Sequence, residues 1–330
     1  MNSESLPTVY KAAMVSSDIR EGTLADPRLM FTGPSPFGGH RYVLFDTCPR
    51  KYGLDHSDYP MPYYDSENVL AAPPTEEGEE GKSAWELIRG TTIHTGLAHH
   101  YARKQAREKG DSDRYNLLYS PLESMEALHA QERERAHYDD RSLWDDALVV
   151  SQRVYREYAK RFAFERAKVE VVEEVFVMEL GESKAPYTFR LDLGLRDSNQ
   201  KVWMVDHKST TRLRTDHGWI YGISAQFQAY AIGGRAVYGA NYGGVMANMM
   251  EMPDPEDSEG RAVFSRPQVP QVTGFLAGFA ERISGIYERM QDLVKKGIPP
   301  ELWPKRPGTH TCKAYGRICP YYEKCSSSLD

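Results

Sequence analysis

From Tyr187 to Arg196 the chain alternates without a break: Tyr187, Phe189, Leu191, Leu193 and Leu195 against Thr188, Arg190, Asp192, Gly194 and Arg196. A period of two belongs to a strand, because successive side chains leave opposite faces of the pleat. One face is apolar and the other carries Asp192. Upstream, KVEVVEEVFVMELG at 168–181 is rich in β-branched residues and reads as a preceding strand. After a turn at Ser198-Asn199, KVWMVDHKS at 201–209 reads as the next strand, and GGVMANMMEM supplies a fourth.

Helical periods surround this block. Residues 83–109 predict a helix, with Ser83-Ala-Trp-Glu86 as a capping box, Gly110 as a stop, and Ile93, Leu97 and Tyr101 on one face. A second helix is predicted over 142–165, where Trp144, Leu148, Tyr155, Tyr158 and Phe162 recur at helical spacing. Helical character returns at 219–232 and again over 270–296. Helices, then strands with a helix between them, then a helix predict an α/β core with a helical flank. The first forty residues are rich in Pro, Gly and Ser, show no period, and read as irregular. No internal repeat and no phosphate-cradling glycine motif is present, which excludes an ATP-driven helicase engine within this sequence.

Asp206 and Lys208 are separated by one residue in a strand, so their side chains leave the same face. Another acid, Asp192, stands on the neighbouring strand. Carboxylates and an amine held together suit metal-assisted phosphodiester hydrolysis. The acids hold divalent ions that polarise the phosphate and lower the pKa of an attacking water. The lysine orients that water or offsets charge developing on the phosphate.

Charge constrains the partner. A formal net charge of −6 argues against coating nucleic acid by bulk attraction. The acids, however, gather in PPTEEGEEGK at 73–82 and MPDPEDSEG at 252–260, while Lys295 to Arg317 is basic, with six cations against Glu301. Hydrophobic residues at 40% and charged residues at 27% describe an ordinary soluble protein. No apolar run is long enough to span a bilayer, and the N-terminus lacks the blocks of a secretory signal. The expected setting is therefore cytoplasmic, without a membrane partner.

Four cysteines are placed unevenly: Cys48 near the start, then Cys312, Cys319 and Cys325 near the end. Disulfides are rare in a cytosolic chain, so a clustered trio reads as a metal or cluster site. Four thiolates match an Fe–S cluster in number. Zinc is the main alternative, and reduced structural cysteines are a third.

These pieces together resemble the RecB-type enzymes of the PD-(D/E)XK nuclease superfamily. R-L-D-L-G-L-R-D followed by V-D-H-K-S-T is similar to the catalytic hairpin of that group. Arg89-Gly90-Thr91-Thr92-Ile93-His94 resembles its glycine-then-histidine helix motif, and Gln226-Phe-Gln-Ala-Tyr230 its Q-x-x-x-Y helix motif. The resemblance implies a single nuclease domain over 41–330 with a helical part at 83–165, a catalytic α/β core at 168–252, and a helix plus cysteine-rich basic tail at 267–330. It implies that His94, Asp192, Asp206 and the main-chain carbonyl of His207 bind Mg²⁺ or Mn²⁺. Lys208 is then catalytic, with Glu174 (or its neighbour Glu173), Gln226 and Tyr230 supporting the site.

Cys48, within F-D-T-C-P-R-K-Y, resembles the C-P-R motif that opens the nuclease domains with a split cluster site. Those include the AddB-type recombination nuclease and the related CRISPR-associated exonucleases. The implied cofactor is a [4Fe–4S] cluster on Cys48, Cys312, Cys319 and Cys325, clamping the two ends of the domain. The spacing departs from those relatives: six residues separate Cys312 from Cys319 where a close C-x-x-C pair is expected, so structural Zn²⁺ stays open.

The implied activity is exonucleolytic hydrolysis of DNA ends or single strands in recombination, repair or phage DNA metabolism, in a bacterial or phage-infected host cytoplasm. A helicase or recombinase would come from another chain. The alternatives are an inactive DNA-binding or assembly module of the same fold, and a sequence-specific endonuclease.

Overall fold

The computed structural model describes residues 9–11, 38–55, 84–136, 138–254, 257, 260–314 and 317–327. In chain order these form β1 (Val9–Lys11), α1 (Gly39–Thr47), α2 (Pro49–Asp55), α3 (Ala84–Lys109), α4 (Ser112–Leu117), α5 (Pro121–Arg135) and α6 (Arg141–Arg161). Then come β2 (Lys168–Leu180), β3 (Ala185–Arg196), β4 (Val202–Thr210), α7 (His217–Gly222), α8 (Ala225–Tyr238), β5 (Tyr242–Glu251), β6 (Val263–Ser265) and α9 (Thr273–Lys295). The tail adds α10 (Thr309–Cys312), a small β7–β8 ribbon (Lys313–Ala314 and Arg317–Ile318) and α11 (Tyr322–Ser327).

The main sheet runs in the order β1-β2-β3-β4-β5-β6. Every pairing is antiparallel except β4 with β5, which is parallel. A parallel pair requires a crossover, and α7 and α8 provide it. The result is a mixed sheet flanked by helices, an α/β fold. Two observations differ from the sequence expectation. Residues 9–11, inside a stretch without period, form an edge strand on β2. The helical stretch at 219–232 divides into α7 and α8, with Ser224 capping α8 through the Phe227 amide. Ser83 and the acidic 73–82 loop lie outside the described residues.

Two apolar layers hold the sheet. One joins Phe176, Tyr187, Phe189 and Leu191 to α1, α8 and α9 through Tyr42, Phe45, Tyr230, Phe279 and Ile283. The other joins Leu193, Leu195, Val205 and Met250 to α3 and α6 through Ile93, Leu97, Tyr101, Val154 and Tyr158. Helix α8 lies close to β3 because Gly233 faces it: a Cβ there would stand 2.4 Å from Phe189 Cζ. Helix α5 has no forerunner in the periodicity above, although its start, Ser120-Pro-Leu-Glu123, forms a complete capping box.

The two ends of the fold meet. Trp303 is buried against Tyr52, with ring centroids 6.3 Å apart and stacked. Arg50 Nε donates to the Trp303 carbonyl at 2.9 Å. Asp46 on α1 pairs with Arg282 and Arg289 of α9 and with Arg306 of the tail. Among the described residues no helix is long and apolar enough to cross a membrane.

Candidate active site

The site lies where β3, β4, α3 and α8 converge. On β4, Asp206 and Lys208 point to the same side, with Oδ2 and Nζ 2.7 Å apart. Helix α8 closes over them. Gln226 Nε2 donates to Asp206 Oδ1 at 2.8 Å, and its Oε1 accepts from Lys208 Nζ at 3.0 Å. The Tyr230 hydroxyl stands 2.8 Å from Asp206 Oδ1 and 2.8 Å from the Arg190 carbonyl. Gln226 also donates to that hydroxyl, as residues four apart on a helix can. Gln226 and Tyr230 thus orient the acid and the amine at once.

Asp192 on β3 is held from behind: the main-chain amide of His207 donates to its Oδ2 at 2.8 Å. The same oxygen lies 3.7 Å from His94 Nδ1. His94 reaches the site because α3 runs close to β4 at Gly90, where a Cβ would stand 3.3 Å from Ser209 Oγ. Burial pulls the His94 imidazole below its ordinary pKa, outweighing the nearby Asp192 and Asp206. A neutral imidazole is the form that ligates metal.

Of the two adjacent glutamates, the structure brings Glu173 to the cluster and not Glu174. Glu173 is 1% exposed, and its carboxylate lies 3.1 Å from Arg190 Nε. Its Oε1 is buried without a hydrogen-bond partner. Its backbone is left-handed, φ 49°, an uncommon state for a residue other than glycine that is often kept at functional sites. Glu174 lies opposite Leu191, is half-buried, and acts electrostatically on Tyr238 at the end of α8.

Three buried carboxylates, Glu173, Asp192 and Asp206, thus face two cations, Arg190 and Lys208. Burial and the neighbouring Asp192 push the Glu173 carboxyl well above its usual range. Burial also raises Asp206, although Lys208 opposes it. Burial acts to lower Lys208, but the Asp206 and Asp192 carboxylates more than offset this and keep it an ammonium. Crowded acids of this kind are costly to hold ionised without a further cation. Together with the unpartnered Glu173 Oε1 and a neutral imidazole, the donor set suits a hard divalent ion. Among the described residues no three His, Cys, Asp or Glu already stand in a ligating group. Here the oxygens of Asp206 are engaged by Lys208, Gln226 and Tyr230, and Asp192 by the His207 amide.

Behind the site lies a polar network that the sequence reading did not anticipate. The His207 ring stacks on Tyr101 at 5.9 Å, and its Nδ1 accepts from Asn248 Nδ2 at 2.7 Å. Arg266 Nε donates to Asn248 Oδ1 at 2.8 Å, and its Nη2 to the hydroxyls of Tyr101 and Tyr158 at 2.8 and 2.6 Å. Its other arm pairs with Glu165. The available signal was Asn248, a lone amide inside an otherwise apolar strand, since a buried amide needs partners.

Cys312 and Cys325 both lie close enough to act electrostatically on Cys319, and Lys51 acts on Cys319 as well. Cys48 caps α1 and its Sγ accepts from the Lys51 amide at 3.5 Å. All four are free thiols, and burial raises Cys319.

None of the curated proteins matches the chain. The sequence profile of the PD-(D/E)XK nuclease superfamily matches residues 40–326, a span that contains both strands of the Asp192–Asp206–Lys208 hairpin, the α3 histidine and the α8 glutamine and tyrosine. The chain therefore belongs to the PD-(D/E)XK nuclease superfamily.

Proposed function

We propose that the protein is a Mg²⁺- or Mn²⁺-dependent deoxyribonuclease of the RecB type that acts as an exonuclease on DNA ends or single strands. The observation that carries this reading is the gathering of His94, Glu173, Asp192, Asp206 and Lys208 around one buried acidic cluster. In this reading His94, Asp192, Asp206 and the His207 carbonyl hold the ion, and Glu173 takes the supporting place expected of Glu174. Such an ion would supply Lewis-acid activation of the phosphate and of an attacking water at this site. Lys208 stays protonated and offsets charge on the phosphate oxygens as it develops. Gln226 and Tyr230 keep Asp206 and Lys208 aligned, and α3 and α8 close the site on two sides.

End-labelled single-stranded and duplex DNA, beside a circular substrate, distinguishes the possibilities. The expected result is metal-dependent, chelator-sensitive release of short products from linear DNA only. Cleavage of the circle would instead indicate an endonuclease, and no cleavage with either metal would leave an inactive binding or assembly module.

We further propose that Cys48, Cys312, Cys319 and Cys325 bind one structural centre, a [4Fe–4S] cluster or, in its place, Zn²⁺. The shared neighbourhood of Lys51 supports this, because it ties the Cys48 turn to the late trio. Closing so long a loop restrains the unfolded chain and stabilises the domain apart from the chemistry. Anaerobic purification is expected to give a brown protein whose iron falls on Cys48→Ala substitution. A colourless preparation with stoichiometric zinc would assign zinc, and four reactive thiols without metal would remove the clamp.

A further inference from the structure

Helices α3 and α6 run side by side with their C-terminal ends together: His100 meets Tyr155, Tyr101 meets Tyr158, and Lys104 meets the Glu165 and Ala167 carbonyls. Residues 100–109 and 155–168 carry nine Lys and Arg against three Glu. This local excess of six positive charges sits in a chain of formal net charge −6. Between the two ends lies a cavity of about 240 Å³, walled by Arg103, Lys104, Arg107, Tyr155, Phe162 and Glu165.

The acids there are already committed. Glu165 pairs with Arg266 and with Lys104. Among the described residues Arg107, Lys160, Arg161, Arg166 and Lys168 form no ion pair, and Arg107, Arg161 and Arg166 are exposed. Cations at a helix C-terminus complement its partial charge, which accounts for Arg107, Lys160 and Arg161. It does not account for Arg166 and Lys168, which lie beyond the last turn of α6. Beside them Phe164 is 94% exposed. Arg107 stands over the Tyr115 ring, 5.4 Å from its centre, and none of these cations has an acidic partner among the described residues. An aromatic ring in solvent among cations free of carboxylates is the combination that tracks a nucleic-acid strand, cations on phosphates and ring on a base.

We propose that this surface is a second contact for the DNA substrate, gripping its phosphate backbone away from the cleavage site; the inference rests on the nuclease reading above. His94 and Arg107 are thirteen residues apart on α3, about 20 Å along the helix axis at the usual rise. At about 3.4 Å per nucleotide along one strand, that distance corresponds to about six nucleotides between the reacting phosphate and the grip. Long substrates engage both places and very short ones only the first.

The test is the charge-reversed variant Arg107→Glu/Arg161→Glu/Arg166→Glu, with Phe164→Ala made separately. All four side chains are exposed, and a thermal melt checks the fold. DNA of about 30 nucleotides is expected to show a KM at least about tenfold higher in the triple variant, with kcat unchanged. Substrates of about four nucleotides are expected to be cleaved equally by variant and wild type. Affinity by fluorescence anisotropy without divalent metal is expected to fall, and its dependence on log salt to flatten by about two to three. Equal affinity and equal salt slope in variant and wild type would overturn the proposal. Because the binding arm needs no cleavage, it decides the surface even if the wild type cuts nothing, an outcome that instead overturns the nuclease reading.

Discussion

Arg266 is the keystone of the network behind the active site, and its replacement by methionine keeps most of the stem while removing the guanidinium. That group pairs with Glu165, donates to Asn248 and to the Tyr101 and Tyr158 hydroxyls, and stands 3.8 Å from the centre of the Phe162 ring. Arg266 is 16% exposed and Glu165 11%, so water reaches little of what the substitution leaves behind. Breaking one side of a buried, hydrogen-bonded ion pair costs about 3–5 kcal/mol, because the other charge stays buried and uncompensated. Taking about 4 kcal/mol and about 2.1 cal/mol/K of unfolding entropy per residue over roughly 290 residues, Tm is expected to fall by about 7 °C.

Thermal and urea melts followed by circular dichroism measure this. The paired variant Arg266→Met/Glu165→Gln is expected to lose less than the sum of the two single losses, by more than about 1 kcal/mol. A single loss under about 1 kcal/mol, or additivity within about 0.5 kcal/mol, would refute the reasoning and reduce the network to incidental contacts.

Three further outcomes are expected. Asp206→Ala and Lys208→Ala are each expected to abolish cleavage while retaining DNA binding and a cooperative melt; substantial turnover by either pure variant removes the site assignment. Glu173→Gln is expected to lower activity by about tenfold to a hundredfold, as loss of a group that supports metal ligands does, whereas Glu174→Gln should change it less than about twofold; the reverse order would return the role to Glu174. Burial holds His100 down to about 4, against about 6.5 in the unfolded chain. Between those values the unfolded chain binds the extra proton, so the stability contributed by His100 is complete above about pH 6.5 and lost as pH falls towards 4, by up to about 3 kcal/mol. His100→Gln should flatten that part of the stability profile, and parallel wild-type and variant profiles would show that His100 does not titrate this way.

Some of the site is legible in the sequence because it depends on local period. Asp206 and Lys208 share a side because strands repeat every two residues. Gly90 and His94, like Gln226 and Tyr230, share a helix face because they are four apart. Helix α3 and the strands β2 to β5 follow from periodicity within a residue or two of their ends.

Tertiary structure alone decided the rest. Strand parity cannot choose between Glu173 and Glu174 when the backbone turns left-handed at the first of them. Arg266 finds Tyr101 across 165 residues and Glu165 across 101. The basic surface exists only because α3 and α6 end together, so that two ordinary charge runs become one field. A sequence shows which side chains share an element, since that follows from the rise and twist of a few residues. Which buried charges meet is settled by how elements pack, because each must find a partner once water is excluded.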